Sequence, residues 1–461
     1  MPADNFLTIE IPLYTLGCLL GFSMTSLLHI IPALLYTLVV IFGAYLASML
    51  LQGKQRIWSL LAFLGIAAFP PLDSVQRLLV GPIHIGTVFF ILVGIIAYKH
   101  FLTVERGKGS AFAIVMLVIV LTIVGDPFVL VLLVLPLILT ESLQMFVSKR
   151  ISFPENLVIL GILLAVILSF GIRWILEIAG VHIPGAAGFV FTDITGMINN
   201  LTYAITFVYT IFHANIFMKS SFSISTLPLL INAIVVSTLI YAIIKWSKHA
   251  LFQAATPDTK IIKVSVWSFI GILTALTVST WGGIHGIRYF YPILFLIEVG
   301  SFPIIFAFVN RYVLIVATIL VFVINAAPYA VSLYQAPTSK PPETLLIAVL
   351  KEHHLTQGLG AYWVSSIVTV QSEEQVVIRQ VTISNYQIHP FYFLADEKWF
   401  DVSNLQRANF IVYRNSDDPQ AYYDASERSF GIPDHQYNVG IYTVLTWNTP
   451  LLTHMQSGYS F

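Results

Sequence analysis

The chain has 461 residues, 57% of them hydrophobic and 10% charged, with 23 basic and 23 acidic side chains. Soluble domains carry roughly 25% charged residues, so most of this chain belongs in a bilayer, and its zero net charge implies no nucleic-acid partner. A single cysteine, Cys18, excludes an internal disulfide and a cysteine-based metal site; a small buried hydrophobe is the expectation for it.

Residues 1–5 lack the positive n-region of a cleavable signal peptide. Residues 11–28, interrupted by Gly17, Gly21, Ser23 and Thr25, read as an in-plane helix at the outer surface. Apolar runs continue at His29–Leu51, Ile57–Phe69, Ile83–Tyr98, Ala111–Val124, Phe128–Leu139, Leu157–Ile178, Leu227–Ile244, Val264–Trp281 and Tyr312–Val331, with a further one headed by Arg288. Each crosses, or nearly crosses, a hydrocarbon core of about 30 Å. Basic residues cluster at Lys54/Arg56, Lys99/Arg106/Lys108, Lys149/Arg150, Lys245/Lys248/Lys260/Lys263 and Arg311, in loops that should face the cytoplasm. The alternation holds if Leu201–Phe217 does not span but lies in the interface. The expectation is an all-α polytopic membrane domain over residues 1–335, of about ten transmembrane helices plus in-plane helices. Its 69–81, 124–127, 180–200 and 282–288 loops face outward, as does the chain beyond Tyr334.

Residues 335–343, with consecutive prolines, make a linker. Beyond it, Glu343–His353 has helical periodicity, and Tyr362–Val370, Gln375–Val381, Asn409–Tyr413 and Asn438–Trp447 have the β-branched and aromatic content of strands. Residues 336–461 thus form a small soluble α/β domain, without a phosphate-loop motif and with a lid or docking role.

Ionisable groups at a membrane edge are expensive and mark candidate sites. Asp126, in the Gly125–Pro127 corner, can cap the next helix and can equally present a carboxylate to a cation or a sugar hydroxyl. His84 opens a span, with Asp73 and Arg77 one turn apart on the loop before it. Trp281–Pro292 carries His285 and Arg288 among glycines and aromatics; a guanidinium there suits phosphate, or snorkels to lipid headgroups. Arg173 and Glu177, also one turn apart, read as a structural bridge. The Asn200–Thr202 sequon is too common a pattern to imply glycosylation.

The Gly125–Pro127 hairpin between short helices, His84 opening a span, Arg288–Pro292 heading a late one, and an Ala361–Trp363 strand and a Phe410–Val412 strand in an outward C-terminal domain together resemble the polytopic membrane glycosyltransferases of the GT-C superfold. Protein mannosyltransferases and aminoarabinose transferases belong to that group. The likeness in layout covers most of the chain, through short motifs of which none is diagnostic. It implies transfer of a sugar from a polyprenyl-phosphate donor to an acceptor at the extracytoplasmic face, within a multi-pass plasma- or inner-membrane protein. It also implies a carboxylate base in the first outer loop, with a divalent cation in some members, and a cationic group steadying the departing phosphate. On this chain Arg288 with His285 falls on the phosphate side, while Asp126 and His84 line the pocket. The family pattern begins with a complete span and a long acidic loop, where this chain offers only Asp4 and Glu10. Three readings are open: one of these acids is the base, the protein extends upstream of Met1, or the chain is a non-catalytic scaffold of the same superfold. A lipid-linked sugar transporter is the remaining alternative.

Overall fold

The computed structural model describes residues 6–70, 85–148, 153–179, 190–217, 226–251, 253, 255–283, 286, 289–334, 341–392 and 397–454. The chain divides into two compact units, residues 1–20 with 28–335, and residues 21–27 with 336–461.

The larger unit is helical. After a π-helical turn at Phe6–Glu10 come α1 (Ile11–Leu19), α2 (Met24–Met49), α3 (Gly53–Ala67), α4 (Ile85–Thr103), α5 (Lys108–Gly125) and α6 (Leu135–Ser148). They are followed by α7 (Phe153–Ile178), α8 (Ile194–Ile211), α9 (Leu227–Ala250), α10 (Pro257–Val278), α11 (Tyr291–Phe308) and α12 (Arg311–Tyr334). Among the described residues nine helices are long and apolar enough to cross a membrane: α2, α4, α5, α6 with its preceding turn, α7, α9, α10, α11 and α12. The protein is therefore an integral multi-pass membrane protein. α11 is the innermost by packing, with 78% of its apolar window buried, whereas α12 has only 17% buried and presents its remainder outward.

Three local expectations change. Residues 11–28 are not one helix: α1 ends at Leu19, Gly21 turns the chain at φ 85°, and Ser23 caps α2 by accepting a hydrogen bond from Ser26 N at 3.2 Å. Cys18 is exposed rather than buried, because α1 is apolar all round and has little protein against it. Lys99, Lys245, Lys248, Lys260 and Lys263 lie not in loops but within α4, α9 and α10. Their long apolar stems let a lysine extend a helix past its hydrophobic run, so these helices outlast the apolar runs that announce them.

The end of α3 shows how an apolar bundle satisfies a helix terminus, whose last carbonyls lack intrahelical donors. The carbonyl of Gly65 accepts from Asn325 Nδ2 at 3.1 Å, that of Ala67 from Tyr36 at 2.6 Å, and that of Pro70 from Tyr329. The His213 ring bonds the carbonyl of Phe69 at 2.5 Å. Asn232 extends the network to Asn325 Oδ1 at 2.9 Å. Four other helices or helix ends thereby close α3.

The smaller unit contains α13 (Pro342–Glu352), β1 (Gln357–Ala361), α14 (Tyr362–Gln371), β2 (Val377–Ser384), β3 (Gln387–Pro390), β4 (Phe410–Arg414), α15 (Pro419–Phe430), β5 (His435–Val439) and β6 (Tyr442–Thr446). The sheet order is β3-β2-β1-β4-β6-β5, with β1 parallel to both β2 and β4 and the remaining pairs antiparallel. Alternation along β4 builds two cores: Phe410 and Val412 join Leu346, Leu350, Val364 and Val368, while Ile411 and Tyr413 join Ala425, Phe430 and Trp447. The expected Tyr362–Val370 strand is instead helix α14, the strand being the Gly-containing segment just before it, so the expected Ala361–Trp363 strand ends at Ala361. Val364 and Val368 are four apart and both buried, which is helical spacing, and Ser365 back-bonds to the carbonyls of Gly360 and Ala361, each at 2.9 Å. The expected Asn438–Trp447 strand is a hairpin turning at Gly440, φ 60°.

Candidate functional site

Three of the stretches singled out by sequence meet at one end of the larger unit. α5 runs to Gly125, and Asp126 then leaves the helix in extended conformation. Its Oδ1 accepts from Phe128 N at 2.9 Å, capping the turn that starts the next helix, and its Oδ2 accepts from the Thr87 hydroxyl on the first turn of α4. Asp126 and Thr87 are both fully buried. The capping expectation for Asp126 holds, and the same bonds tie the head of α4 to the corner.

Arg173 reaches this corner from α7. Its Nη1 donates to the carbonyl of Val124 at 3.0 Å, at the end of α5, where a cation is favoured by the helix dipole. The expected bridge to Glu177 does not form: among the described residues no ion pair joins the two, because the guanidinium is turned toward α5.

The third stretch arrives through aromatic contacts. Phe128 lies 5.2 Å from Tyr289 between ring centroids, Tyr289 stacks on Trp281 at 6.0 Å, and the neighbouring Phe290 packs against Phe207 of α8 at 5.7 Å. Asn200 of α8 donates from Nδ2 to the carbonyl of Ser279 at 2.7 Å. It is 7% exposed, so in this fold it is a strut and offers no accessible glycan acceptor. Glycine serves close approach here: a Cβ at Gly282 would run into the carbonyl oxygen of Leu276 and lie 2.6 Å from Asn200 Cγ.

Of the six candidate site residues, Asp126 and Glu10 fall among the described residues. Glu10 closes the Phe6–Glu10 turn, which packs against α4 and α5. Asp4, His84, His285 and Arg288 lie outside the described residues, as do Asp73 and Arg77. The chain on either side of 284–288 is nevertheless placed, at Trp281 and Tyr289, against the Asp126 corner.

A divalent cation takes several oxygen ligands at once. Among the described residues no three of His, Cys, Asp and Glu come together, and both Asp126 oxygens already accept protein donors. The described corner does not fit a bound cation.

At the other end of the same helices lies a charged network that sequence reading passed over. Glu141 of α6 takes Lys260 Nζ on Oε2 at 2.7 Å and the Tyr98 hydroxyl on Oε1. Beside it Lys99 Nζ pairs with Asp258 at 3.0 Å and donates to the carbonyl of Met49 at 2.6 Å, while Lys263 Nζ donates to that of Gln253 at 2.6 Å. Gln144 accepts from Ala255 N at 2.9 Å. Every member is paired, so the network ties α2, α4, α6 and α10 together and presents no free reactive group.

A third group was also missed. Glu298, in the middle of α11, is fully buried, and among the described residues neither carboxylate oxygen has a hydrogen-bond partner. An ionisable group thus lies mid-helix as well as at the helix ends. The signal was in plain view, since Glu298 is the one acid in the 18-residue helix α11. Comparison with protein-family models and with curated proteins finds no match for this chain.

Proposed function

We propose that the protein transfers a sugar from a polyprenyl-phosphate-linked donor to an acceptor at the extracytoplasmic membrane face, in the manner of the GT-C glycosyltransferases that it resembles. The observation that carries this reading is the meeting of the α4 head, the Asp126 corner and the Trp281–Tyr289 aromatic segment at one end of the bundle. The half-buried Trp281 ring offers an apolar face of the kind a sugar ring stacks on, with Phe128, Tyr289 and Phe290 buried behind it. Arg288, carried between Trp281 and Tyr289, is the group that offsets charge developing on the departing phosphate. The distribution of Lys and Arg places this end outward, with α3 as a tenth, short span and α1 and α8 as in-plane helices. On the same reading the chain beyond Tyr334 is extracytoplasmic.

Asp126 is a positioning residue of this site rather than its base, because it is fully buried and both of its oxygens are engaged. The base is assigned to Glu10 or Asp4. The same engaged oxygens favour a second reading, a non-catalytic scaffold that retains the superfold. Binding of a polyprenyl-phosphate hexose to protein in lipid nanodiscs, followed by turnover, separates the two. The transferase reading expects binding that Arg288→Ala weakens at least tenfold, and product that Glu10→Gln or Asp4→Asn abolishes. Partner capture by the tail unit without donor turnover supports the scaffold. Failure to bind any polyprenyl-phosphate sugar overturns the transferase.

A further inference from the structure

The smaller unit holds a cleft of its own. It opens at the amino ends of β1 and β2, has a volume of about 330 Å³, and is faced by Gln357, Arg379, Ser403, Asn404, Gln406 and Arg407. That volume is at the lower end of small-molecule sites. The lining supplies two guanidiniums, three carboxamides and one hydroxyl, and among the described residues no acidic one lines it.

The two arginines are placed for recognition. The guanidinium of Arg379 sits 4.5 Å from the centre of the Trp399 ring, a cation–π contact that limits the side chain's freedom before a ligand arrives. Arg407 is exposed, and among the described residues it has no ion-pair partner. Asn404 Nδ2 donates to the carbonyl of Lys398 at 2.5 Å, which fixes its carboxamide at the rim. Guanidiniums match the geometry of phosphate and carboxylate oxygens, and carboxamides serve as both donor and acceptor, as a run of sugar hydroxyls requires. Nucleotides in parallel sheets sit at the carboxyl ends of the strands, on phosphate-binding turns; this cleft is at the opposite ends and has no such turn.

We infer that the cleft binds an acidic monosaccharide, its phosphate or carboxylate held by Arg379 and Arg407 and its hydroxyls by the carboxamides. The inference concerns the smaller unit alone and does not depend on the transferase reading.

The test is calorimetric titration of the full-length protein in lipid nanodiscs with glucose 6-phosphate, glucuronate, glucose and inorganic phosphate. Saturable binding of either acidic sugar is expected, at least tenfold tighter than glucose, and the tighter of the two identifies the oxyanion. Arg407→Ala should weaken that binding tenfold or more. Because Arg407 is exposed and unpaired, the loss would not reflect unfolding. Arg428→Ala, whose guanidinium lies over Tyr386 away from the cleft, should leave it unchanged. The inference is overturned if neither acidic sugar binds, if glucose binds equally well, or if Arg407→Ala has no effect. Inorganic phosphate binding as tightly as glucose 6-phosphate would also overturn it, by leaving the sugar unread.

Discussion

Glu141 and Glu298 are both sealed inside the helical unit, at 1% and 0% exposure, and they are held in opposite ways. Glu141 has Lys260 on one oxygen and Tyr98 on the other. Glu298 has no hydrogen-bond partner on either among the described residues. Burying a carboxylate costs several kcal/mol unless charge and hydrogen bonds answer it, so the first is a tie between helices and the second is a cost that packing alone does not explain. Asp126 stands between them, bonded on both oxygens to neutral donors and next to the Phe128–Tyr289–Trp281 ring cluster.

Breaking the tie should have the largest effect. Glu141→Ala leaves Lys260 buried without its counter-charge, and the expected loss is about 3–5 kcal/mol, read as a lowered Tm in detergent. Lys260→Met together with Glu141→Leu should recover most of it, since an apolar pair of similar size has no charge to answer. Filling the close approach at Gly282 comes next. The Cβ of Gly282→Ala meets a backbone carbonyl that cannot step aside, and overpacking of this kind costs about 1–3 kcal/mol. Glu298→Gln should be the mildest of the bundle variants, with Tm unchanged or raised, because no bond is lost and an unanswered carboxylate is removed. A large Tm drop in Glu298→Gln would mean that Glu298 has a structural partner and would erase the contrast with Glu141.

The smaller unit offers a pH counterpart. Tyr442 is buried and donates to Glu343 Oε1 at 2.6 Å; burial, then that bond, push its hydroxyl up to about 12 from the ordinary 10. Burial also pushes Tyr413 up to about 12. A raised folded-state value favours the protonated form, so this stabilisation is fully present below pH 10 and is lost as pH rises through 12. Alkaline unfolding of the tail unit should begin above pH 10, the ordinary tyrosine value, and Tyr442→Phe should shrink the pH-dependent part of the loss.

Composition and apolar runs carried the broad architecture, because a bilayer demands long apolar helices whatever their packing. Polar boundaries were less legible. Lys260 and Lys263 look like loop residues by charge, yet each is under 10% exposed within α10, the one answered by Glu141 and the other by a carbonyl, and a partner such as Glu141 is distant in sequence. Val364 and Val368 fit a strand by type and a helix by spacing, and the spacing decides. The corner at Asp126 was legible as a cap from its neighbours, whereas its bond to Thr87, 39 positions away, was not. Glu298 was legible and overlooked.

The most direct test compares Asp126→Asn with Glu141→Gln in one assay of polyprenyl-phosphate hexose binding to nanodisc-held protein, with Tm measured on the same samples. Asp126→Asn should weaken binding at least tenfold in the folded fraction and lower Tm less than Glu141→Gln does, because it removes one acceptor and no buried ion pair, while Glu141→Gln should leave the folded fraction binding as wild type does. Unaltered binding in Asp126→Asn, or binding lost in the folded fraction of Glu141→Gln, would contradict a site at the Asp126 corner and move it to the other end of the bundle.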